Sequence, residues 1–531
     1  MKLPFNHRRL ALVLVVIVAG LALHQLRAPT PPVTVTVGTP ESSGQAATDF
    51  LQLGSLRLAG CEIGKAAMVG TVHAYCTEFP VPEDWSVPQG RQIMLRVALV
   101  KSRAAKPAQD LLVFLDGGPG GAAIDDYPGI APAFNEMRSR RHLLLVDQRG
   151  TGGSSQLRCK SDPEAADDER RQRESVQRVA IDHGGIDVPG LQRGLRECLQ
   201  TLSTRADPAQ YTTGNAVRDL EALRQALGAP QLDLVGVSYG TRVAQQYAGS
   251  YPQSVRSVLL DSAVPNELVL GSETAVNLDA ALKARFEACR QMPACAARFG
   301  DPYASLYRLR DQLRAKPQAA TLRDPVTYER LDAEVSAADL AMTARLFAYS
   351  PATAALLPLT IDEALAGHYA PLLGQRKLIT DAVTGQLTDG MALSVSCADD
   401  ADLLQPRPQD APLLLGDTMV QYLRAACEVW PRGQRSANFH EPWRSAVPTL
   451  VLGGQYDPIT PVRYGEAIVG NLPNGRLLVL RGQSHGVLGS GCMPRLAGEF
   501  IDTLATKTLQ AGCLDALGDT PAFLSYNGAA P

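Results

Sequence analysis

The stretch Gly236-Val237-Ser238-Tyr239-Gly240 has the form G-x-S-x-G and stands between an apolar run and a helical pattern. A sharp turn from a strand into a helix leaves no room for side chains beside its central residue, and flanking glycines meet that need. Such a turn presents the serine hydroxyl, and the N-terminus of the following helix favours developing negative charge. A tight turn that happens to contain a serine is the alternative, but the strand-to-helix context favours a nucleophile.

A serine hydroxyl is a weak nucleophile near neutral pH, so it needs a base, and the base needs an orienting acid. Among eight histidines, only His485, in GQSHG, follows a late strand of the predicted sheet. Asp457 follows the strand before it, and the order Ser238, Asp457, His485 is a known order for such a triad. Asp261, directly after the run SVLL, stays open as a second candidate for the acid.

A tetrahedral intermediate would also need backbone N–H donors. Tyr239, directly after the serine, is expected to supply one, and Gly118, in the early loop FLDGGPGGA, the other. That loop could instead hold phosphate, but it lacks the Lys-Ser/Thr ending of a P-loop. Because no cluster of candidate ligands has suitable spacing, the sequence predicts neither a metal nor an organic cofactor.

Apolar runs indicate the elements that must position these groups. Seven apolar runs are typical of strands, and several of these strands are expected to be fully buried. The runs are RQIMLRVALV, LLVFL, HLLLV, LDLVG, SVLLD, PTLVLGG and GRLLVLRG. Apolar residues recur at helical spacing in three stretches: NAVRDLEALRQALG, TRVAQQYAGSYP and RLAGEFIDTLAT. The strand and helix alternation stops near Pro265, becomes mainly helical to about Trp443 and then resumes. This pattern predicts one α/β sheet domain interrupted by a helical insertion.

The N-terminus is typical of an export segment, because a basic start precedes a short apolar stretch. No clean cleavage site follows, so an uncleaved membrane anchor stays open, and a periplasmic or secreted protein is expected. We predict a signal peptide or anchor at 1–28, a linker at 29–50, a sheet domain at 51–264, a helical cap at 265–443 and the rest of the sheet domain at 444–531.

Composition restricts the partners. The chain has 531 residues, a formal net charge of −3 and 20% charged residues, which argues against a nucleic-acid surface and favours a peptide or small ester substrate. Ten cysteines in an exported chain predict disulfides. Proximity along the chain suggests, as a guess, the pairs Cys61 with Cys76, Cys159 with Cys198, Cys289 with Cys295, Cys397 with Cys427, and Cys492 with Cys513. The oligomeric state does not follow from the sequence.

The motifs DGGPGG, LLLVDQRGTGGSS, GVSYGT, YDPITP and GQSHG, in this order between about residues 111 and 492, resemble the prolyl iminopeptidase and tripeptidyl aminopeptidase group of α/β-hydrolases. SCADD and ACEVW, before the last two motifs, are more similar to the tripeptidyl aminopeptidase branch. The resemblance implies an α/β-hydrolase fold with a large, mainly helical cap acting as a lid, and an exopeptidase that acts on free N-termini.

The same resemblance implies the triad Ser238, Asp457 and His485 with oxyanion donors Gly118 and Tyr239. It further implies that Asp147 and Arg149, in DQRG, shape the loop beside the site. Asp116 stands where the iminopeptidases usually have histidine, which weakens the transfer of proline specificity.

Two other functions fit the same residues. An exported esterase would use the same triad on carboxylic esters, whereas a binding protein on an inactive hydrolase fold would typically lack a triad member. An aminopeptidase must also bind a free ammonium group. Three acidic residues are candidate partners, and the sequence does not favour one of them: Glu267, Asp399 and Asp400.

Overall fold

The computed structural model describes residues 49–64, 70–158, 182, 185–324, 328–384 and 388–529. The predicted export segment at 1–28, nearly all of the predicted linker and Cys159 therefore lie outside the described residues. Of the helices in the described ranges, none has the length and hydropathy that crossing a membrane requires.

One sheet of ten strands forms the centre of the fold. In spatial order its strands are β1-β2-β3-β4-β6-β5-β7-β8-β11-β12, and the numbers follow the chain. Pairing is antiparallel from β1 through β4 to β6, and parallel from β6 to β12. The strands are β1 (Phe50–Leu53), β2 (Leu56–Ile63), β3 (Val72–Pro82), β4 (Gln92–Val100), β5 (Leu111–Leu115), β6 (Leu143–Val146), β7 (Leu232–Val237), β8 (Val255–Asp261), β11 (Thr449–Gly454) and β12 (Gly475–Leu480).

Helices cover both faces of the parallel part, which explains its uninterrupted apolar runs. Alternate residues of β5 show this, because Val113 packs in a cluster with two helices at 213–226 and 239–250, and Phe114 in a cluster with helices at 123–130 and 493–503. The helices of this domain are α1 (Ala123–Ile130), α2 (Val188–Leu202), α3 (Thr213–Ala226), α4 (Tyr239–Ser250), α14 (Val462–Val469) and α15 (Met493–Thr503).

Between β8 and β11 the chain leaves the sheet as a segment that builds an apolar cluster of its own, while the last two helices of the segment pack in the cluster of Val113. Its helices are α5 (Thr274–Gln291), α6 (Pro293–Phe299), α7 (Pro302–Ala315), α8 (Ala337–Phe347), α9 (Pro351–Ala354), α10 (Leu357–Leu365), α11 (Ala370–Thr384), α12 (Asp389–Asp399) and α13 (Thr418–Cys427). An antiparallel hairpin of β9 (Gln318–Arg323) and β10 (Arg330–Val335) interrupts them. We call residues 265–443 the cap; the predicted α/β fold with a helical insertion is confirmed, and the hairpin adds to it.

Four of the predicted disulfides are present, and the first joins β2 to β3. They are Cys61–Cys76, Cys289–Cys295, Cys397–Cys427 and Cys492–Cys513. Cys198 is also disulfide-bonded, and its predicted partner Cys159 falls outside the described residues. β1 begins at Phe50, the last residue of the predicted linker.

Candidate active site

Ser238 occupies a strained turn between β7 and α4, with φ of 54° and ψ of −124°. Positive φ is uncommon outside glycine, and such strain concentrates at functional turns. A Cβ on Gly240 would lie 2.0 Å from the carbonyl oxygen of Leu115, and one on Gly236 would lie 2.6 Å from that of Gly240. Both flanking glycines are therefore required by close backbone approach, as the motif predicts.

Asp457 and His485 meet at the carboxyl ends of β11 and β12. Nδ1 of His485 lies 3.0 and 2.9 Å from the two carboxylate oxygens of Asp457. The same carboxylate accepts the backbone N–H groups of Ile459 and Thr460, each at 2.8 Å, and the Thr460 hydroxyl at 2.8 Å. The side chain of Asp457 is fully buried and that of His485 is 10% exposed. The imidazole is thus held by an acid that is itself fixed from three sides.

The charges of this pair stabilise each other. Burial alone would lower the pKa of His485, but the charge and hydrogen bond of Asp457, together with the charge of Asp261, outweigh it and raise the pKa. Burial would raise the pKa of Asp457, but the His485 charge and hydrogen bonds to the imidazole and the loop backbone hold it below its usual range. The Asp457 carboxylate therefore stabilises the imidazolium form of His485 relative to a histidine without such a partner.

Asp261, the second candidate for the acid, contacts the histidine loop but makes no hydrogen bond to the imidazole. Its carboxylate accepts the backbone N–H of Val487 at 2.8 Å and that of Leu488 at 2.7 Å. Its backbone oxygen accepts the N–H of Ser238 at 2.9 Å. Asp261 thus joins the serine turn to the loop that bears His485, and its charge adds to the field at the imidazole.

Ser238 lies on the same edge of the sheet as that pair, because β7, β8, β11 and β12 are adjacent and parallel. Within the described residues its hydroxyl makes no hydrogen bond to His485. Such bonds are often long without substrate and tighten in the complex. The structure brings Asp457 and His485 together directly and connects Ser238 to them through Asp261.

The loop after β5 carries the predicted donor Gly118, whose φ is 113°. The preceding N–H, of Gly117, is bonded to the Asp116 carboxylate at 2.7 Å. Tyr239 is the first residue of α4, where backbone N–H groups have no partner within the helix. Gly120 accepts the N–H of cap residue Thr388 at 3.0 Å, so the cap also contacts this loop.

The sequence profile of the alpha/beta hydrolase fold matches residues 110–491. The chain belongs to this family. It is 27% identical over 477 residues to serine protease Hip1 of Mycobacterium tuberculosis, which covers 83% of this chain and 87% of that protein. It is 25% identical over 474 residues to tripeptidyl aminopeptidase of Streptomyces coelicolor, with 82% of each covered. It is also 26% identical over 450 residues to carboxylesterase B of Mycobacterium tuberculosis, with 79% of this chain and 82% of that protein covered.

The predicted resemblance to tripeptidyl aminopeptidases and the prediction of a serine hydrolase are therefore confirmed. In the described part of this α/β-hydrolase, no three His, Cys, Asp or Glu side chains are grouped as a metal site would require.

Asp147 and Arg149 of the DQRG motif are buried in this hydrolase. The Asp147 carboxylate accepts the N–H groups of Ile124 and Gly153 at 3.0 and 2.9 Å. Arg149 forms two hydrogen bonds to the Asp219 carboxylate, at 2.7 and 2.6 Å. The first residue thus joins the DQRG loop to the start of α1, and the second joins it to α3.

Asp116, in the loop after β5, and Asp126, in α1, form a pair of carboxyl groups that the sequence analysis did not identify. Burial raises the pKa of Asp116, and burial together with the charge of Asp116 raises the pKa of Asp126 to about 8. Because two adjacent carboxylates cannot both ionise cheaply, the pair keeps one proton at neutral pH. No signal in the sequence marks Asp126, which lies in the first turn of α1 among other acids.

Two of the three candidate partners for a substrate ammonium group bind other side chains inside the protein. Asp399 accepts the hydroxyl hydrogen of Thr213 at 2.6 Å, and Asp400 pairs with Arg242 at 3.0 Å. Both carboxylates are completely buried. Glu267, the third, is exposed.

Two further residues at the imidazole escaped the sequence analysis. The Thr460 hydroxyl lies 3.3 Å from His485 Nδ1. The backbone oxygen of Tyr349, in the cap, accepts the backbone N–H of His485 at 3.1 Å, and the Tyr349 ring meets the imidazole edge-on with centroids 5.2 Å apart. The spacing of Asp457 and Thr460 is a local signal that could have revealed the threonine, whereas Tyr349 has none.

The cap has a pocket that opens to solvent between the start of α5, α8 and the start of α13. Its charged wall residues are Arg345, Asp410 and Asp417. Asp410 is paired with Arg407 at 2.6 Å, whereas Asp417 accepts only an amide hydrogen from Gln421 among the described side chains.

Proposed function

We propose that this protein is an exported serine exopeptidase, which releases residues or short peptides from free N-termini through an acyl-enzyme on Ser238. The observation that carries the proposal is the hydrogen-bonded pair of Asp457 and His485, which lies on the same edge of the sheet as the strained Ser238 turn. The relatives named serine protease and tripeptidyl aminopeptidase, each similar over four fifths of the chain, support it.

In this mechanism Ser238 attacks the carbonyl carbon, and Nε2 of His485 takes the hydroxyl proton. Asp457 holds the proton on Nδ1, which leaves Nε2 free to accept, and stabilises the imidazolium that forms. The N–H groups of Gly118 and Tyr239 receive the oxyanion. The imidazolium then protonates the leaving amine, and water repeats the sequence on the ester to release the acyl product.

For the substrate's N-terminal residues we assign the cap pocket, which has both an apolar wall and charged wall residues. Asp417 is the carboxylate on its wall that is not committed to an arginine, so it is the candidate partner of the ammonium group. Arg345, also on the wall, belongs to α8, which leads directly into Tyr349 and hence to His485.

Labelling with a fluorophosphonate probe tests the nucleophile. We expect the wild type to label and Ser238→Ala not to label, with Ser257→Ala, a buried serine on the neighbouring strand, as the matched control that still labels. A wild type that never labels would favour a binding protein on an inactive hydrolase fold.

A panel of peptide amides with free or blocked N-termini, together with simple esters, tests the substrate class. We expect hydrolysis of free N-termini, and for Asp417→Asn a KM that rises by about tenfold or more for these peptides but not for an ester without an ammonium group. The similarity to carboxylesterase B makes ester hydrolysis the second candidate function. Preference for esters or for blocked peptides alone would decide for it.

Export is part of the proposal, with 1–28 as signal peptide or anchor, 29–50 as linker, 51–264 and 444–531 as the catalytic domain and 265–443 as the lid. The disulfides support an oxidising compartment, periplasmic or extracellular. Fractionation of cells, with N-terminal sequencing of the mature protein, tests the export and decides whether the segment is cleaved.

A further inference from the structure

We propose that Arg285, on the cap helix α5, is a positioning residue that holds the two loops bearing Asp457 and His485. The inference rests on the proposed function, since it assigns Arg285 a role in the same reaction. Arg285 touches neither of those side chains and acts through the residue that precedes each of them.

The contacts of Arg285 are with Ser484 and Tyr456. Its Nη2 donates to the Ser484 hydroxyl at 2.8 Å, and its guanidinium carbon lies 4.7 Å from the centroid of the Tyr456 ring. Ser484 directly precedes His485, and Tyr456 directly precedes Asp457. One guanidinium group therefore contacts both loops, one residue away from the base and one away from its acid.

Burial of the Arg285 guanidinium group costs free energy that its two contacts, a hydroxyl and an aromatic ring, do not fully offset. The residue is 8% exposed, and no carboxylate of a described residue forms an ion pair with it. Burial lowers the pKa of Arg285, with only partial compensation from the charges of Tyr456 and Asp519. A buried cation is normally paired with an anion, because unpaired burial costs several kcal/mol. Stability alone therefore does not explain a guanidinium group at this position.

The same helix contacts the acid loop a second time. Asn277, about two turns before Arg285, donates its amide hydrogen to the backbone oxygen of Ile459 at 3.1 Å. Ile459 also donates its own N–H to the Asp457 carboxylate. A rigid cap helix thus spans both loops, so the position of the cap is coupled to the distance between Asp457 and His485.

A pocket that opens to solvent adjoins Arg285, between the cap and the C-terminal segment. Its wall is mostly apolar and includes Phe286, Ala354 and Pro358. Removal of the side chain by Arg285→Ala would enlarge this space, so a free guanidinium ion could enter and replace the missing group.

The experiment compares kcat, KM and thermal unfolding for Arg285→Met, Ser484→Ala and the double variant, with a peptide amide as substrate. The matched control is Arg310→Met, since Arg310 is also a buried cap arginine, at 9% exposure, and contacts only other cap residues. We expect Arg285→Met to lose about tenfold or more in kcat with KM within about twofold. The double variant should lose little more than the worse single variant, because both act through one contact.

Two further measurements separate positioning from a structural role. Guanidinium chloride, well below unfolding concentrations, should restore kcat of Arg285→Ala in a saturable manner, whereas sodium chloride should not. Ser484→Ala, which leaves all charges in place, should shift the acid limb of kcat/KM to lower pH, because a looser Asp457 contact lowers the pKa of His485. If Arg285→Met does not fold, Arg285→Lys, which keeps the charge but not the planar group, takes its place with the same expected loss.

The proposal is overturned if a folded Arg285→Met retains wild-type kcat, if it loses no more than Arg310→Met, or if guanidinium gives no rescue. A wild type that fails to label with the fluorophosphonate probe would instead overturn the proposed function. A labelling wild type with unaffected Arg285 variants leaves the proposed function intact and refutes only the positioning role.

Discussion

Replacing Asp457 by asparagine changes one atom of the candidate triad and preserves its shape, so the effect reports the charge and the hydrogen-bond direction. Oδ1 of Asp457 accepts two backbone N–H groups at 2.8 Å, so an amide nitrogen in that place would face two donors. Oδ2 faces the rotatable Thr460 hydroxyl and Nδ1 of His485, so the amide nitrogen will take this position instead. It then donates to Nδ1 and drives the imidazole proton to Nε2.

With its proton on Nε2, His485 can no longer accept the hydroxyl proton of Ser238. In a triad this error of tautomer lowers kcat by about 10⁴-fold, which corresponds to about 5.4 kcal/mol of transition-state free energy. The folded state loses less, roughly 1–3 kcal/mol, because the two backbone donors keep their acceptor. The expected signature is a large loss of activity with a small loss of stability.

The assay measures kcat/KM with a peptide amide and the unfolding free energy of the same preparation. Asp261→Asn is the matched control, since its carboxylate holds the backbone of the histidine loop and not the imidazole. We expect it to lose roughly 1–3 kcal/mol of stability and less than about 100-fold in kcat/KM. The reasoning is refuted if Asp457→Asn retains activity within about tenfold of the wild type, or if Asp261→Asn is the more severe change.

Three other results are expected. Because the pKa of His485 is raised and catalysis needs the neutral imidazole, activity should fall as pH drops through a value above the ordinary histidine pKa of about 6.5; an acid limb below it would contradict this. Because the pKa of Asp126 is raised from 3.8 to about 8, the folded chain holds a proton that the unfolded chain releases, so stability falls as pH rises toward 8; the melting temperature of Asp126→Asn should fall less between pH 6 and 9 than that of the wild type. Arg149→Met leaves the buried Asp219 carboxylate without its ion-pair partner and with only the Trp85 indole N–H as a side-chain donor, so denaturant unfolding should show a loss of about 3–5 kcal/mol, and a loss under about 1 kcal/mol would disagree.

The parallel half of the sheet was predictable because its strands are buried on both faces, so their sequences are continuous apolar runs. β5 lies where LLVFL predicts it, and β11 and β12 lie within two residues of the predicted runs. The antiparallel strands β1 to β3, at one end of the sheet, were missed, because their exposed and buried positions are mixed and they resemble loops. The hairpin of β9 and β10 alternates with period two, but strong helical patterns surround it.

The candidate triad was predictable because each member follows a strand, so chain order determines sheet position. Arg285 was not, because it lies in a charged helix and its partner Ser484 is distant along the chain. Pairing of Asp116 with Asp126 likewise depends on how the glycine-rich loop turns back onto α1. Contacts of this kind arise from tertiary packing, and no local periodicity encodes them.

The order of the strands also sets the time at which this chain can become reactive during its biosynthesis. Val258 of β8 pairs with Thr449 of β11, and the whole cap is made between them. The serine turn therefore emerges from the ribosome long before the two strands that supply the acid and the base. Under the proposed mechanism an unfinished chain has a hydroxyl without a base, so hydrolysis would begin only after nearly the entire protein has been synthesised.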